Sequence, residues 1–287
     1  MQFKEDFKEI AKDYDYFIFD VWGVIHDGIH VFPNVLETFA YLKENGKKVC
    51  FLSNAPRKSK IVAEILAGYG INKNFYDFIL TSGEATFLDL QKNQEEGFFD
   101  FGQKYYYIGP KKDLGLLDEL FYKRVDTAQS ADFVLVTGFE GQHSTLEEKL
   151  LQIRDARKYD LPFLCVNPDM LVVRKDGTEM LCAGVLAREY EKMGGEVVYY
   201  GKPYKNVYDI TYKLFSTPNK NKILAIGDGL ETDIKGANDF GIDSVLVTSG
   251  ILCNKLNIKF GEKTDEKKLN KICSLQKIFP CYVITNL

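Results

Sequence analysis

The 287-residue chain lacks the features that define several classes of protein. It contains no run of about 18 apolar residues, which excludes a transmembrane helix and argues against a membrane partner. Its N-terminal stretch, MQFKEDFKEIAKDYD, has no apolar core and carries acids early, so we expect no secretory signal. Lys and Arg total 37 against 41 Asp and Glu, and this balance argues against nucleic-acid binding, because phosphate neutralisation needs a basic surface.

Residues that bind zinc are also scarce. The chain has only three histidines, and its six cysteines are scattered without a CxxC pair. Several cysteines lie inside apolar runs such as KKVCFLSN and LPFLCVN. We therefore interpret them as small, reduced residues of the core, which indicates a reducing, cytoplasmic setting.

The overall composition is that of a globular protein, with 45% hydrophobic and 27% charged residues. At about 150 residues per domain, the length corresponds to roughly two domains or one large one. A chain of this size buries about three quarters of its unfolded surface, so folding requires no disulfide or metal.

Apolar strand patterns alternate with helical patterns from residue 15 to residue 83, which is typical of parallel βαβ units. Residues 91–103 are polar and contain glycine, and they mark the place where the chain leaves one domain. The strand–helix alternation tightens again after residue 195. We predict an α/β fold in which 1–82 and 196–287 form a discontinuous Rossmann-like parallel-sheet core, with a second α/β domain, 83–195, inserted into it.

Four polar elements follow expected strands of this fold, where ligands bind to open parallel sheets. They are Asp20 at the end of FIFD, Ser53-Asn54 after VCFL, Lys202 after VVYYG, and Asp228 with Asp233 after LAIG. A single Asp after a strand is more often a helix cap or a turn former. All four elements together, at one edge of one sheet, indicate an active site.

The chemistry of these residues fits phosphoryl transfer. An Asp20 carboxylate can accept a phosphoryl group, which splits one difficult displacement into two steps. Because carboxylate and phosphate repel each other, the reaction needs a divalent cation and a lysine. Asp20 and Asp228 would bind Mg²⁺, Asp233 would orient these ligands, and Lys202 and Ser53 would contact the phosphate oxygens.

The same residues resemble the haloacid dehalogenase (HAD) superfamily, class IIA, which includes NagD-like and p-nitrophenylphosphatase-like enzymes. Asp20-Val21-Trp22-Gly23 matches its first motif and Ser53-Asn54 the second, while Lys202 in GKP and Gly227-Asp228-Gly229 with Asp233 match the third and fourth. The resemblance spans most of 14–250. It implies a HAD core with an inserted C2-type cap, Mg²⁺, an aspartyl-phosphate intermediate, and hydrolysis of small phosphate esters such as sugar phosphates or nucleotides. It also implies that Gly23 and Asn54 contact substrate and that the cap mediates a homodimer.

One position departs from this resemblance. The family's phosphatases carry a second Asp two residues after the nucleophile as general acid, and here that residue is Trp22, as in a variant branch with a DxWG motif. An indole N–H has negligible acidity, so we expect turnover slower by about 10²–10⁴-fold unless another group substitutes. The metal site is expected to survive, because the family uses the main-chain carbonyl here. Trp22 either packs against the cap or stacks on substrate, and these roles are compatible.

His26 and Asp27, in the turn GVIHDG, lie close enough in sequence to replace the missing acid. An imidazole with a pKa near 6.5 suits that role, and the alternative is an exposed turn histidine. In the inserted domain, Asn167 and Asp169 follow an expected strand. By resemblance their loop helps to select substrate, and the alternative is an Asx-type turn that satisfies its own backbone.

Two functions remain open at this stage. The first is a Mg²⁺-dependent phosphatase for a small phosphorylated metabolite. The second is a weak or inactive HAD-like protein that binds a phosphate ligand. The presence of Asp20, Lys202 and Asp228 favours the enzyme, whereas Trp22 favours the binding protein.

Overall fold

The fold was analysed in a computed structural model that describes residues 1–97, 100–140, 145–173 and 178–287, with the side chain of Asn254 excepted. The largest element is a sheet of seven parallel strands in the order β1-β14-β13-β12-β2-β3-β4. Its strands are β1 Gln2–Phe3, β2 Tyr16–Phe19, β3 Lys48–Ser53, β4 Phe78–Thr81, β12 Ile223–Gly227, β13 Asp243–Val247 and β14 Tyr282–Ile284. This confirms the predicted α/β class with a parallel sheet.

A second sheet has five parallel strands in the order β11-β8-β7-β5-β6. Its strands are β5 Lys104–Ile108, β6 Lys123–Val125, β7 Phe133–Val136, β8 Phe163–Cys165 and β11 Val197–Tyr199. Two further strands, β9 Leu171–Val173 and β10 Glu179–Leu181, form a separate antiparallel pair. We refer to β9 and β10 as the cleft hairpin.

Helices follow the strands in the expected alternation. They are α1 Phe7–Ala11, α2 Val35–Glu44, α3 Ser59–Gly68, α4 Ser82–Glu95, α5 Leu146–Arg157, α6 Ala183–Lys192, α7 Lys205–Leu214, α8 Lys235–Phe240, α9 Leu252–Leu256 and α10 Glu266–Gln276. Among the residues that the structure describes, no helix combines the length and the apolar character needed to cross a bilayer.

The seven-stranded sheet is covered by apolar clusters on both faces. Successive side chains of a strand point to opposite faces, so β2 contributes to both clusters in turn. Phe17 and Phe19 of β2 belong to the apolar cluster that includes α1 and α2. Ile18, between them, belongs to the cluster on the other face, which includes α7 and α8. The run YFIF is therefore apolar throughout, and the polar residues begin only where β2 ends.

The pairing of β11 corrects one sequence prediction. The predicted boundary at 196 assigns Val197–Tyr199 to the larger unit, whereas this strand hydrogen-bonds to β8 of the five-stranded sheet. Lys202 therefore does not follow a strand of the seven-stranded sheet, as the sequence had suggested, but lies on the segment that returns from one sheet to the other. We propose a core of 1–82 with 201–287 and a cap of 83–200.

Candidate active site

The strands β12, β2 and β3 are neighbours in the seven-stranded sheet, and a polar residue of the predicted site lies at the carboxyl end of each. Asp20 directly follows β2, Ser53 is the last residue of β3, and Asp228 directly follows β12. The Asp20 amide donates to the Ile226 carbonyl (2.8 Å), which continues the pairing of β2 with β12 to the edge of the sheet. The parallel arrangement therefore brings the three side chains to one carboxyl edge.

Lys202 reaches this edge from the segment between β11 and α7. Its Nζ donates to Asp20 Oδ1 (2.5 Å) and to Asp233 Oδ1 (2.7 Å). The side chain of Lys202 is 4% exposed, and those of Asp20 and Asp233 are 11% and 5% exposed. Asp233 lies in the helical turn Leu230–Ile234, and its Oδ2 accepts a hydrogen bond from the Gly229 amide (3.0 Å). The lysine is thus held between the nucleophile position and the last acidic motif.

Asp228 packs closely against two glycines. A Cβ atom on Gly23 or on Gly250 would lie 2.0 Å from Asp228 Oδ2. Gly23 also has a φ of +86°, a conformation that side chains rarely adopt. Its amide donates to the His26 carbonyl (2.9 Å). Gly23 therefore has a structural role, which is the close approach of the chain to Asp228, and its substrate contact stays a prediction.

Asp20, Asp228 and Asp233 form a cluster in which one oxygen from each carboxylate lies within 4.8 Å of the others. Burial, together with the charge of Asp233, raises the pKa of Asp20 well above its usual range. The same two effects raise the pKa of Asp228 to about 7. Burial opposes the charge on Lys202, but the carboxylates of Asp20 and Asp233 outweigh it and raise the lysine pKa. Three carboxylates and one ammonium leave a formal charge of -2, and this all-oxygen cluster fits a hard divalent cation.

Asn54 holds the segments around the site together. Its Nδ2 donates to Asp169 Oδ1 (2.8 Å) and to the Lys202 carbonyl (3.1 Å). Its Oδ1 accepts from the Lys202 amide (2.7 Å) and from Ser82 Oγ (3.3 Å). Because both ends of the amide contact protein groups, Asn54 positions these segments, and its contact with substrate stays a prediction.

The site opens into a cleft of about 1420 Å³ lined by residues of both sheets and of the cleft hairpin. Ser53, Asn167 and Asp169 all line it, as expected. Asn167 Oδ1 accepts from the Asp169 amide (3.1 Å), so the Asx-type turn is present as well. Burial raises the pKa of Asp169 to about 6.

Trp22 lines the same cleft, and its indole Nε1 donates to the Val173 carbonyl of the cleft hairpin (3.0 Å). Its ring meets the His26 ring edge-on, with 5.5 Å between centroids. The packing role considered for Trp22 is therefore observed, and the partner is the hairpin backbone.

One of the two alternatives for His26 is wrong, and the pKa of the residue disfavours the other. The residue is 5% exposed, so it is not an exposed turn histidine. Burial lowers its pKa to about 4, which leaves the imidazole neutral near pH 7 and unsuited to act as a proton donor. Its Nδ1 accepts from the Gly28 amide (2.9 Å), while Asp27 Oδ1 accepts from the amides of Ile29 and His30 (2.8 and 2.7 Å). Both side chains thus stabilise the turn.

An ion pair of the cleft was missed by sequence reasoning. Arg57, on the loop after β3, lies 3.3 Å from Asp113 Oδ1 through its Nη2, and both residues line the cleft. Arg57 follows Ser53-Asn54 closely, and that proximity is a signal that could have identified it. Asp113 lies in a short 3-10 helix, Lys111–Leu117, whose sequence contains no such signal.

Carboxylates and a hydroxyl at the ends of neighbouring parallel strands, with a buried lysine between the carboxylates, fit a hydrolase with an α/β fold. Two family models match the chain: a haloacid dehalogenase-like hydrolase over 17–123 and a HAD-hydrolase-like model over 199–269. Ribonucleotide monophosphatase NagD of Escherichia coli is 27% identical over 82% of this chain and 87% of its own length. Phosphoglycolate phosphatase 2 of Arabidopsis thaliana is 26% identical over 91% of each chain.

Among solved structures, a haloacid dehalogenase-like hydrolase from Brucella suis superimposes with a TM-score of 0.83 at 28% identity, covering 99% of each chain. The chain belongs to the haloacid dehalogenase superfamily, in class IIA with the NagD-like enzymes.

Proposed function

We propose that this protein is a Mg²⁺-dependent phosphatase that hydrolyses a small phosphate ester, of the sugar phosphate or nucleotide class, through an aspartyl phosphate on Asp20. The observation that carries this proposal is the contact of the buried Lys202 ammonium with Asp20, 2.5 Å, inside a carboxylate cluster at the end of the cleft. The relatives named above as phosphatases support the same reaction class.

In the first step, an Asp20 carboxylate oxygen attacks phosphorus, and the bond between phosphorus and the ester oxygen breaks. The leaving group departs with the electron pair of that bond and takes up a proton. In the second step, water attacks the aspartyl phosphate, which releases inorganic phosphate and restores the carboxylate. Lys202 offsets the charge of the phosphoryl oxygens in both steps, and the Ser53 hydroxyl donates a hydrogen bond to one of them.

Asp20, Asp228 and Asp233, with the main-chain carbonyl of Trp22, would hold the cation. When bound, Mg²⁺ supplies the positive charge that allows an anionic phosphate to approach an anionic carboxylate. The formal charge of -2 on the three carboxylates and Lys202 supports a divalent ion at this position.

The leaving group limits the range of good substrates. The Trp22 N–H donates to Val173, and His26 is buried with a pKa lowered to about 4, so neither group protonates a departing alkoxide. General acid catalysis is typically worth 10²–10⁴-fold, and its loss weighs least on leaving groups of low pKa. We therefore expect aryl and acyl phosphates to react faster than alkyl phosphates.

The test is a panel of aryl, acyl, sugar and nucleoside phosphates, assayed with and without Mg²⁺ and repeated with Asp20→Asn. We expect Mg²⁺-dependent phosphate release that the substitution abolishes, whereas Asp13→Asn, a surface change of equal charge, keeps the native rate. Activity that survives in Asp20→Asn would overturn the assignment of the nucleophile.

A weakly active or inactive protein that binds a phosphate ligand is the second candidate. The engagement of the Trp22 N–H with the hairpin, instead of with a leaving group, favours it. Saturable binding of inorganic phosphate in the presence of Mg²⁺, without turnover of any ester in the panel, would select this function over the first.

A further inference from the structure

Trp22 connects two parts of the fold that are distant in sequence. Its indole Nε1 donates to the carbonyl of Val173, which is 151 residues further along the chain and is the last residue of β9. Trp22 itself lies in the loop that follows β2, two residues after Asp20. The hydrogen bond therefore joins the loop of the nucleophile to the cleft hairpin.

The direction of the indole N–H is fixed by close packing. A Cβ atom on Gly28 would lie 2.4 Å from Cη2 of the indole, so the ring rests directly on the glycine backbone. The Gly28 φ of +91° keeps that backbone in a conformation that other residues rarely adopt. On another side, the His26 ring meets the indole at 5.5 Å and packs in turn against Tyr69 at 5.0 Å. These contacts enclose the indole ring and orient its N–H donor.

The cleft hairpin is attached to the core at a second point. Asp169, which precedes β9, accepts a hydrogen bond from Asn54 (2.8 Å), and Cys182, which follows β10, donates its amide to the Met170 carbonyl (3.0 Å). The base of the hairpin is therefore held beside Asn54, and the end of β9 is held by Trp22. Two separated attachments fix the orientation of a strand pair as well as its position.

The hairpin contributes an apolar wall to the cleft. The residues of its two strands that line the cleft are Leu171, Val172, Val173, Met180 and Leu181, together with the charged Glu179. Because five of these six residues are apolar, the wall offers few hydrogen-bond partners to hydroxyl groups and suits an apolar group better than a polyol. It belongs to the same cleft as Asp20, into which a leaving group departs.

We propose that Trp22 is a positioning residue that ties the cleft hairpin to the nucleophile loop and thereby shapes the cleft for a phosphate ester with an apolar aryl leaving group. The substrate part of this inference rests on the proposed phosphatase function. The tie itself rests on the hydrogen bond to Val173 and on the packing around the ring. In this protein, the position that carries an acid in related phosphatases holds the wall of the cleft instead.

The test uses the presence of a single tryptophan in the chain. Biosynthetic replacement of tryptophan by 3-benzothienylalanine changes only Trp22, keeps the shape of its ring system and removes the N–H donor. Replacement by 5-fluorotryptophan retains the donor and serves as the matched control. Trp22→Phe provides an independent genetic variant.

We expect the benzothienyl protein to show hydrogen exchange about two- to tenfold faster at the amides of β9 and β10, the range that one hydrogen bond supports, and unchanged exchange in β2. The KM for p-nitrophenyl phosphate should rise by a similar factor. Inhibition by inorganic phosphate should stay the same, because the contacts of Lys202 and Asp20 are unaffected. The 5-fluorotryptophan protein should behave like the native one in all three measurements.

Unchanged amide hydrogen exchange in β9 and β10 of the benzothienyl protein would refute the proposed link between Trp22 and the cleft hairpin. Faster exchange with an unchanged KM would overturn the proposed shaping of the cleft. The exchange measurement requires no turnover, so it decides the tie even when the native protein fails to hydrolyse any ester. That last result would refute the proposed phosphatase function alone.

Discussion

The carboxylate cluster predicts a specific response of stability to Mg²⁺. Asp228→Asn removes one charge from the cluster at almost constant volume, and the new amide oxygen can still accept the hydrogen bond that the Ile251 amide gives to Asp228 (2.7 Å). The two glycines packed against this side chain allow an isosteric change without new contacts. The substitution therefore tests charge and leaves packing nearly as it was.

The size of the expected effect follows from linkage. A ligand at about 100 times its Kd stabilises the folded state by about 2.7 kcal/mol. For 287 residues, an unfolding entropy of about 2.1 cal/mol/K per residue gives about 0.6 kcal/mol/K, so saturating Mg²⁺ should raise Tm by about 4–5 °C. Removing one carboxylate costs the cation about 4 kcal/mol per unit charge at about 4 Å and an effective dielectric constant near 20, which should abolish the shift.

Without Mg²⁺, the Asp228→Asn substitution should leave Tm unchanged or raise it. Asp228 lies among Asp20 and Asp233, and the charge of Asp233 contributes to raising its pKa to about 7. Replacing it with a neutral amide relieves repulsion, so the metal-free variant should melt at the native temperature or above it. The assay is scanning calorimetry at constant ionic strength across a series of Mg²⁺ concentrations, with Asp13→Asn as control. A full Mg²⁺ shift in Asp228→Asn would refute the assignment of the metal site.

Three further substitutions have expected outcomes. The pKa of His26 is about 4 in the folded state against an ordinary 6.5, so between these values the unfolded state binds more protons. Acid should therefore lower the free energy of unfolding of the native protein by up to about 3 kcal/mol, and His26→Gln should not show this loss. Urea unfolding at pH 7 and at pH 4.5 measures the difference. Gly28→Ala should cost more stability than Gly70→Ala, since both have positive φ but only the first meets Trp22, and equal Tm losses would contradict this packing. Asn54→Ala should lower the free energy of unfolding by about 1–3 kcal/mol, because it leaves the buried backbone amide of Lys202 without its acceptor; an unchanged urea midpoint would count against the positioning role.

The sequence predicted the polar residues at the strand ends because runs such as YFIF are apolar until the strand leaves the sheet. It could not predict which sheet each strand joins, since β11 reads as a buried strand in either. For the same reason the cap boundary was placed at 196, and the short strand β6 and the cleft hairpin were missed. Pairing depends on long-range contacts, and a local pattern contains no record of them.

The site residues show a similar division between presence and role. Asp20, Lys202, Asp228 and Asp233 come together as expected, because charge and strand order are visible in the sequence. The structural roles of Gly23 and Asn54 depend on their contacts with Asp228 and with the Lys202 backbone, which only the three-dimensional structure shows. The neutral state of His26 likewise follows from burial under the turn, which a motif does not encode.

The energetics of the cluster argue for a ligand in the cleft. Burying charged groups typically costs several kcal/mol per ion, and well-packed apolar residues of similar volume are often as stable or more so. Lys202 and Asp233 are 4% and 5% exposed at their side chains, and the cluster contains three carboxylates against one ammonium. Folding stability alone does not explain such a cluster. The proposed cation and phosphate would complete this set of ligands, while the hydrogen bond from Trp22 to Val173 holds the opposite wall of the cleft in place.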